Sequence, residues 1–323
     1  MGRRSGPNVT ELVEGARAGD PRSVARLISL VEDASPLLRE AMAALTPYGR
    51  NATVIGLTGT PGVGKSTTTN ALVAAYRALD RRVGVLAVDP SSPFSGGALL
   101  GDRVRMQDHF TDGGVYIRSM ASRGHLGGLA WSTPQALRVL DAAGCDVVLI
   151  ETVGVGQSEV EVAGVADTTV VLLAPGMGDA IQAAKAGILE VGDVYVVNKA
   201  DRDGADSAVR ELRHMLTLGE RRRPGDWRPP ILRTVASRGE GIDEVVEELD
   251  KHRTWLEETG NLRATRRRRA ADEIEAIAVT ALRERMGDLR AGRGLDGLAD
   301  RVVSGELDPY AAADLLVSEV TDA

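Results

Sequence analysis

A glycine-rich segment near residue 60 carries the residue types that bind phosphate. Residues 59–66 match the pattern G-x-x-x-x-G-K-[ST]. Glycines let backbone N–H groups point at phosphate oxygens, and the N-terminus of a following helix adds its positive dipole end. Lys65 is placed to contact the β- and γ-phosphates, and the Ser66 hydroxyl is placed to ligate Mg²⁺. The predicted nucleotide contacts are Gly59, Thr60, Pro61, Gly62, Val63, Gly64, Lys65, Ser66 and Thr67.

A four-residue motif later in the chain indicates which base the nucleotide carries. Residues 198–201 read Asn-Lys-Ala-Asp and match N-K-x-D, directly after the apolar run 194–197. The Asp201 carboxylate can accept hydrogen bonds from guanine N1–H and from the 2-amino group, a donor pair that adenine lacks. The aliphatic stem of Lys199 can cover the base, and Asn198 can tie the loops together. The motif therefore predicts GTP and GDP as ligands.

The segment after the next predicted strand adds a weaker signal for the same base. Thr234, Val235 and Ala236 stand where GTPases place a backbone N–H against guanine O6. A strand end of any function would look similar in sequence. The predicted base-binding residues are Asn198, Lys199, Asp201, Val235 and Ala236.

Carboxylates end two predicted strands beside the glycine-rich segment. Asp89 follows the run 83–88, and Glu151 follows the run 147–150. The carboxyl ends of parallel strands meet at the edge of the sheet that binds ligands. Residues 151–154 have the form E-x-x-G, in which the carboxylate holds Mg²⁺ through water or positions the attacking water. The predicted metal ligands are Ser66, Asp89, Asp102 and Glu151, and the predicted catalytic residues are Lys65, Glu151 and Gly154.

The residues after Gly154 indicate slow chemistry. Val155 stands where Ras-like proteins often carry a catalytic glutamine, and Gln157 is displaced from that place. The glycine-rich segment also contains no obvious arginine that could act on the γ-phosphate in cis. We therefore expect slow intrinsic hydrolysis that a partner accelerates.

Seven short β-branched or aliphatic runs predict strands, and helical stretches separate most of them. Several runs are apolar on both faces, as in a parallel sheet that helices cover on each side. The pattern predicts an α/β fold with a doubly wound, mostly parallel sheet. The predicted strands are Thr53–Thr58, Val83–Val88, Val115–Arg118, Val147–Ile150, Thr169–Leu173, Val194–Val197 and Ile231–Val235.

Helical segments are predicted on both sides of this α/β region. Asp20-Pro21, Ser35-Pro36 and Asp308-Pro309 each place a capping side chain before a proline at the first helical position. A helix predicted over 272–285 carries Ile274, Ile277, Ala281 and Leu282 on one face, which needs a partner surface. The predicted organisation is an N-terminal helical extension (1–50), a nucleotide-binding domain (51–255) and a C-terminal helical segment (256–323).

The overall composition limits the possible classes of protein. The 323 residues include 39 basic and 46 acidic side chains, and the net charge of −7 argues against a broad nucleic-acid surface. The single cysteine, Cys145, cannot form an internal disulfide, which favours a reducing compartment. The apolar runs fall far short of the ~20 residues that span a bilayer. We therefore expect a soluble cytoplasmic protein that binds neither nucleic acid nor membrane.

Together the three motifs resemble those of the metallochaperone-like group of P-loop GTPases. Three longer stretches narrow the resemblance: 89–106 (DPSSPFSGGALLGDRVRM), 115–130 (VYIRSMASRGHLGGLA) and 151–161 (ETVGVGQSEVE). They are similar to the MeaB-type GTPases associated with methylmalonyl-CoA mutase, which are related to the human methylmalonic aciduria type A protein. The resemblance covers roughly residues 10–320.

The resemblance implies a function, partners and moving segments. Such proteins bind GTP and Mg²⁺, form homodimers through C-terminal helices and act as chaperones for an adenosylcobalamin-dependent mutase. They gate loading of the cofactor and protect or reactivate the enzyme. The segments 91–106, 151–161 and 175–187 match the nucleotide-responsive switches of the family. The residues assigned to switching or coupling on this basis are Gln157, Asp179, Gln182 and Lys185.

Three alternative functions remain open at this stage. The same phosphate-binding loop could serve a small-molecule or protein kinase, although the chain lacks the H-R-D and D-F-G motifs of protein kinases. A GTPase for metal insertion would usually carry clustered histidines and cysteines, whereas the four histidines here are scattered. A related cobalamin-dependent acyl-CoA mutase could also replace methylmalonyl-CoA mutase as the partner.

Overall fold

The computed structural model of the chain describes residues 8–49, 52–90, 109, 111–122, 132–152, 158–176, 187–218, 225–291 and 294–321. Contacts between residues divide the chain into two compact units, 1–266 and 267–323. The first unit contains the sheet and the predicted nucleotide site. Among the described residues, none of the helices combines the length and apolar character that crossing a bilayer requires.

A seven-stranded sheet forms the centre of the first unit, in the order β3-β2-β4-β1-β5-β6-β7. Every pairing between these strands is parallel, so the doubly wound α/β prediction is confirmed. Strand β1 is central, with three strands on each side of it. The strands are β1 (Thr53–Thr58), β2 (Val83–Pro90), β3 (Val115–Ser122), β4 (Val147–Thr152), β5 (Thr168–Leu173), β6 (Val194–Asn198) and β7 (Ile231–Thr234).

Helices precede, connect and follow these strands in the described part of the chain. Short 3₁₀ turns span Thr46–Tyr48, Ile188–Glu190 and Ala236–Arg238. The α-helices are α1 (Val9–Arg17), α2 (Pro21–Glu32), α3 (Leu38–Leu45), α4 (Lys65–Ala78), α5 (Thr133–Ala142), α6 (Ser158–Val165), α7 (Ala205–Leu218), α8 (Ile242–Glu258), α9 (Asn261–Ala291), α10 (Gly294–Val303) and α11 (Pro309–Thr321).

Successive side chains of the central strands enter two different cores because strand side chains alternate between faces. On one face, Leu57, Leu149 and Leu172 pack in one cluster with apolar residues of α4 and α8. On the other face, Leu86 and Val148 pack with α5 and the N-terminal helices. The sheet is therefore covered on both sides, which explains why its strands are apolar runs rather than alternating ones.

Helix α6 lies directly on the backbone of β1 at Gly56. A Cβ atom at this glycine would lie 2.6 Å from Cγ2 of Val162 and 2.9 Å from Cβ of Ala166. Both distances are shorter than any ordinary carbon contact. Only glycine therefore permits the observed approach of α6.

Capping side chains determine where the N-terminal helices begin. The Asp20 carboxylate accepts hydrogen bonds from the backbone N–H groups of Arg22 and Ser23, as its sequence predicts for the start of α2. The Ser23 hydroxyl also donates to this carboxylate, at 2.6 Å, and this bond together with the backbone bonds lowers the pKa of Asp20. The start predicted at Ser35-Pro36 is wrong by two residues. Ser35 instead accepts the Leu37 N–H with its side chain in a turn, and α3 begins at Leu38.

A buried ion cluster, which we call the Asp167 cluster, lies at the amino edge of the sheet. The Asp167 side chain is 1% exposed. It accepts the backbone N–H of Val54 at 3.1 Å and two bonds from the Arg266 guanidinium, at 3.1 and 2.5 Å. Arg253 lies 3.5 Å away. Arg266 also donates to the Ala52 carbonyl at 2.8 Å, so the first turns of α9 are fastened to the start of β1.

An aromatic cluster built around His252 lies on α8. The imidazole is buried, stacks on Trp255 at 5.6 Å and is tilted against Trp227 at 4.6 Å. Its Nδ1 is 2.8 Å from the Thr168 hydroxyl. Burial lowers the pKa of His252 to about 4, opposed by the negative charge of Asp167.

The second unit consists of the later part of α9 together with α10 and α11. Leu298, Ala312 and Leu316 form its small buried core. The described part of this unit also exposes large apolar side chains, which are Ile274, Ile277, Val279, Leu282, Val303, Tyr310, Leu315 and Val317. The helix predicted over 272–285 is in fact one segment of the 31-residue α9.

Candidate nucleotide-binding site

The glycine-rich segment connects the central strand β1 to α4 at the carboxyl edge of the sheet. Gly59 has φ +142°, and a Cβ there would lie 2.3 Å from the Leu172 carbonyl oxygen of β5. Gly64 has φ +98°, and a Cβ there would lie 2.4 Å from Nδ2 of Asn198. The two glycines are required both by backbone conformation and by space.

The Lys65 side chain hydrogen-bonds to backbone carbonyls of the phosphate-binding loop. Its Nζ donates to the carbonyl oxygens of Gly59 at 2.6 Å and Thr60 at 3.2 Å, and the residue is only 7% exposed. A buried ammonium needs anionic or carbonyl partners. The cation is thus already desolvated at the place where phosphate oxygens would bind.

A hydroxyl and a carboxylate meet beside Lys65. The Ser66 hydroxyl donates to Oε1 of Glu151 at 2.5 Å, and the two residues are 8% and 4% exposed. Glu151 lies in β4 next to β1, in register with Leu57. Mg²⁺ prefers oxygen ligands and is usually held by one or two carboxylates together with substrate phosphates. The donor set of this pair therefore fits Mg²⁺.

Asn198 connects three segments of the site. Its side-chain amide donates to the Val63 carbonyl at 2.9 Å, and its Oδ1 accepts from the Thr234 hydroxyl and from the backbone N–H of Ala236, both at 3.1 Å. The residue is 3% exposed. The phosphate-binding loop is thereby joined to the two loops that would hold the base.

Lys199 adopts a backbone conformation that is unusual for a residue with a side chain. Its φ is +58°, in the left-handed region, and its Nζ donates to the Gly62 carbonyl at 2.6 Å. Strain of this kind concentrates at ligand sites. Asp201, two residues later, is 36% exposed at the side chain and lies 3.2 Å from Arg238.

Val235 and Ala236 form a buried wall beside Asn198, each 6% exposed. Their backbone N–H groups already have acceptors within the protein. That of Val235 donates to the Glu240 carbonyl at 3.0 Å, and that of Ala236 donates to Asn198. A contact to guanine O6 from either group would share or replace one of these bonds.

The structure brings the predicted phosphate-binding and base-binding residues to the carboxyl edge of the sheet. Glu151, which contacts Ser66, is on β4, on the other side of β1 from β6 and β7. Asp89 is the penultimate residue of β2, but its side chain lies outside the described part of the chain. The remaining predicted residues also lie outside it, namely Asp102, Gly154, Gln157, Asp179, Gln182 and Lys185. Arg238 contacts the predicted site residue Asp201 and was not predicted, because no motif letter marks it.

Many nucleotide-binding proteins share a strand, a phosphate-binding loop and a helix in this order. The N-K-x-D motif limits the possible class of nucleotide-binding protein here. It follows β6, and its asparagine side chain donates to the phosphate-binding loop. Fold and site together define a P-loop GTPase.

Comparison with known sequences then gives the family within this class. The chain belongs to the family described as methylmalonyl-CoA mutase-associated GTPase MeaB, whose profile matches residues 24–290. As a member of this GTPase family it hydrolyses GTP, and the proposed resemblance is confirmed.

Individual relatives agree with the family assignment. A Pyrococcus abyssi protein whose name assigns it to the GTPases is 46% identical over 314 residues, which cover 97% of each chain. The mouse mitochondrial methylmalonic aciduria type A homolog is 37% identical and covers 95% of this chain and 77% of its own length. The crystal structure of an LAO/AO transport system kinase is 28% identical, with a TM-score of 0.70, and covers 98% of this chain and 100% of its own.

Proposed function

We propose that the chain is a GTP-driven chaperone of methylmalonyl-CoA mutase, which gates adenosylcobalamin loading and protects or reactivates the enzyme. The observation that carries the proposal is the match of residues 24–290 to a family named for its association with that mutase. The mouse relative, named for methylmalonic aciduria, supports the same partner. The described site supplies the nucleotide chemistry that such a chaperone needs.

The site residues have distinct roles in this proposal. Lys65 and the N-terminus of α4 hold the β- and γ-phosphates of GTP, while Ser66 and Glu151 hold Mg²⁺. The metal supplies charge neutralisation at the phosphates when it is bound. Asp201 reads guanine, with Asn198, Lys199, Val235 and Ala236 around the base. Asp89, Asp102 and Gly154 complete the metal and γ-phosphate contacts, and Gln157, Asp179, Gln182 and Lys185 couple the nucleotide to the partner.

With Asp201→Asn we expect the protein to bind xanthine nucleotides in preference to guanine nucleotides. The asparagine amide would meet the 2-amino donor of guanine, whereas xanthine presents a carbonyl there. Loss of one charge-assisted hydrogen bond should weaken GTP binding by about 2 kcal/mol, or roughly thirtyfold. Equilibrium binding of GTP, ATP and xanthosine triphosphate measures this preference. Asp206→Asn, on the exposed face of α7, is the matched control, and equal affinity of the parent protein for ATP and GTP would contradict the assignment.

Turnover with the partner tests the chaperone proposal directly. Without a partner, GTP hydrolysis should run at about 10⁻⁴–10⁻² s⁻¹, as in GTPases without a partner's help. Saturating purified methylmalonyl-CoA mutase is expected to raise this rate by about tenfold or more. Lys65→Ala should show no turnover in either state, because the γ-phosphate loses its buried cation.

The alternatives give different results in the same assays. A kinase would transfer the γ-phosphoryl group to an acceptor rather than release inorganic phosphate. A GTPase for metal insertion, or for another cobalamin-dependent acyl-CoA mutase, would show no stimulation by methylmalonyl-CoA mutase. Copurification from a lysate of the source organism, with GTP and GDP in turn, would then identify the partner.

The exposed apolar side chains of the second unit support a homodimer formed by the C-terminal helical segment (256–323). Ile274 and Leu282, which are 68% and 48% exposed, lie on α9 and would be covered by another subunit. The N-terminal extension (1–50) and the nucleotide-binding domain (51–255) complete the proposed organisation.

The double variant Ile274→Asp with Leu282→Asp is expected to be monomeric while still binding GDP. Charges on a face that must be desolvated oppose association. Light scattering of parent and variant measures the mass, and nucleotide binding shows that the first unit is intact. Leu79→Asp changes an equally exposed leucine of the first unit and should leave the mass of the parent unchanged. A monomeric parent at high concentration would refute the dimer.

A further inference from the structure

The Arg238 side chain lies between two carboxylates at the rim of the base-binding region. Its Nη2 is 3.2 Å from Oδ2 of Asp201, and its Nη1 is 3.5 Å from Oε1 of Glu240. The three side chains are 60%, 36% and 57% exposed for Arg238, Asp201 and Glu240. Arg238 lies outside the N-K-x-D motif and outside the base-binding residues that the sequence predicts.

We propose that Arg238 is a positioning residue for guanine recognition, which fixes the Asp201 carboxylate in the orientation that accepts both guanine donors. This inference rests on the proposed role of Asp201 as the reader of the base. Arg238 acts through Asp201.

The loop that carries Arg238 is itself fixed. The Arg238 N–H donates to the Val235 carbonyl at 2.8 Å, and the Val235 N–H donates to the Glu240 carbonyl at 3.0 Å. Arg238 and Glu240 therefore project from one closed turn. The buried Asn198 fastens the same turn to the N-K-x-D loop through Ala236. The two loops are thus connected through Asn198, through the Ala200 N–H, which donates to the Thr234 carbonyl at 3.0 Å, and through Arg238 and Asp201 at the rim.

The contact leaves the acceptor capacity that guanine needs. An ionised carboxylate offers about four lone-pair sites. Arg238 makes one hydrogen bond, to Oδ2, and the other end of its guanidinium faces Glu240. A competitor for the base would instead form the bidentate pair that occupies both carboxylate oxygens. The observed single contact restrains Asp201 and leaves Oδ1 and part of Oδ2 for N1–H and the 2-amino group.

Arg238→Ala tests the inference with three nucleotides of different donor sets. GDP presents the N1–H and 2-amino donors, and IDP presents the N1–H donor alone. ADP has neither of these donors. We expect GDP to bind about three- to fivefold more weakly, the upper range for an exposed ion pair, and IDP to change by less than about twofold. The GDP to IDP affinity ratio should therefore fall. Arg238→Lys should recover only part of the ratio, because an ammonium lacks the planar fork.

Two further variants separate positioning from other effects. Glu240→Gln weakens the second contact of Arg238 and should lower the ratio by a smaller amount. Arg233→Ala removes another exposed arginine–aspartate pair, to Asp206 at 2.6 Å, and should leave the ratio unchanged. Isothermal titration calorimetry gives all affinities on the intact protein.

Any result other than a fall in the GDP to IDP affinity ratio would overturn the inference. Tighter GDP binding by Arg238→Ala would make Arg238 a competitor, and unchanged GDP and IDP affinities would make the pair a surface contact only. An equal loss for GDP, IDP and ADP would indicate general damage to the loop. Failure of the proposed base reader is seen separately, in the parent protein, as equal affinities for GDP and ADP.

Discussion

Replacing Asp167 with alanine is expected to lower the free energy of unfolding by about 3–5 kcal/mol. The Asp167 carboxylate is almost fully buried and bonds the backbone N–H of Val54 as well as the Arg266 guanidinium. Its removal leaves a buried N–H without this acceptor and a partly buried cation without its anion. Such a loss exceeds the value of an ordinary ion pair because the remaining charge keeps its desolvation penalty.

Urea denaturation, followed by the fluorescence of Trp227 and Trp255 in the first unit, measures this loss. Asp167→Asn keeps the volume and one acceptor, so we expect an intermediate loss. Asp206→Ala removes an aspartate that is 70% exposed and paired to Arg233, and should cost less than about 1 kcal/mol. A loss of under about 1 kcal/mol in Asp167→Ala would show that the cluster contributes no more than a surface pair.

Acidification from pH 6.5 to 4 is expected to remove about 3 kcal/mol of stability through His252 alone. Burial lowers the pKa of His252 to about 4, whereas an unfolded histidine titrates near its ordinary value of 6.5. Between these two values the unfolded chain binds one more proton than the folded chain. Stability therefore falls as the pH falls through this window, and the contribution of His252 is fully present above pH 6.5.

The surroundings of His252 explain the sign of this shift. Trp227 and Trp255 pack against the buried imidazole, and Thr168 takes part in a hydrogen bond with Nδ1. The Asp193 carboxylate is 3.7 Å from Nε2 and 34% exposed at the side chain. Desolvation is the larger effect, so the neutral imidazole is the folded form above pH 4.

His252→Gln isolates this contribution from the carboxylates that titrate in the same window. The free energy of unfolding should depend less steeply on pH in this variant than in the parent protein, between pH 4 and 6.5. His214→Gln changes an exposed histidine of α7 and should keep the steep dependence of the parent. Parallel curves for the parent and His252→Gln would contradict the prediction.

The centre of the sheet could be predicted from the sequence because its strands are buried on both faces. Strands β2, β3 and β4 nevertheless run two to four residues past their apolar runs. Pairing of β2 with β3 continues to Pro90 and Ser122, where backbone hydrogen bonds rather than side-chain hydrophobicity maintain the strand. Strand ends at a ligand-binding edge carry polar residues. A prediction from hydropathy alone therefore places the end of such a strand too early.

The length of α9 shows a second limit of sequence patterns. An apolar stripe predicted a helix over 272–285, whereas α9 runs from Asn261 to Ala291. The added residues include the arginine run 266–269, which carries no apolar periodicity but consists of good helix formers. Propensity and the contact of Arg266 with Asp167, not amphipathicity, extend the helix.

Within the site, the sequence predicted the residues of local motifs but not the contacts between residues that are distant in the chain. The phosphate-binding loop and N-K-x-D lie in short contiguous segments, so residue type and spacing identify them. Arg238 contacts Asp201 from 37 residues away, and outside the site, at the amino edge of the sheet, Arg266 contacts Asp167 from 99 residues away. Neither segment of such a pair predicts the contact by itself, because the two residues come together only when the sheet folds.

The central position of β1 bears on how nucleotide leaves the protein. Three strands flank β1 on each side, and the phosphate-binding loop begins where this strand ends. Backbone amides at the middle of a sheet open only with near-global unfolding. The loop is therefore mounted on the part of the molecule that opens last, so we expect local opening of the sheet not to contribute to nucleotide release.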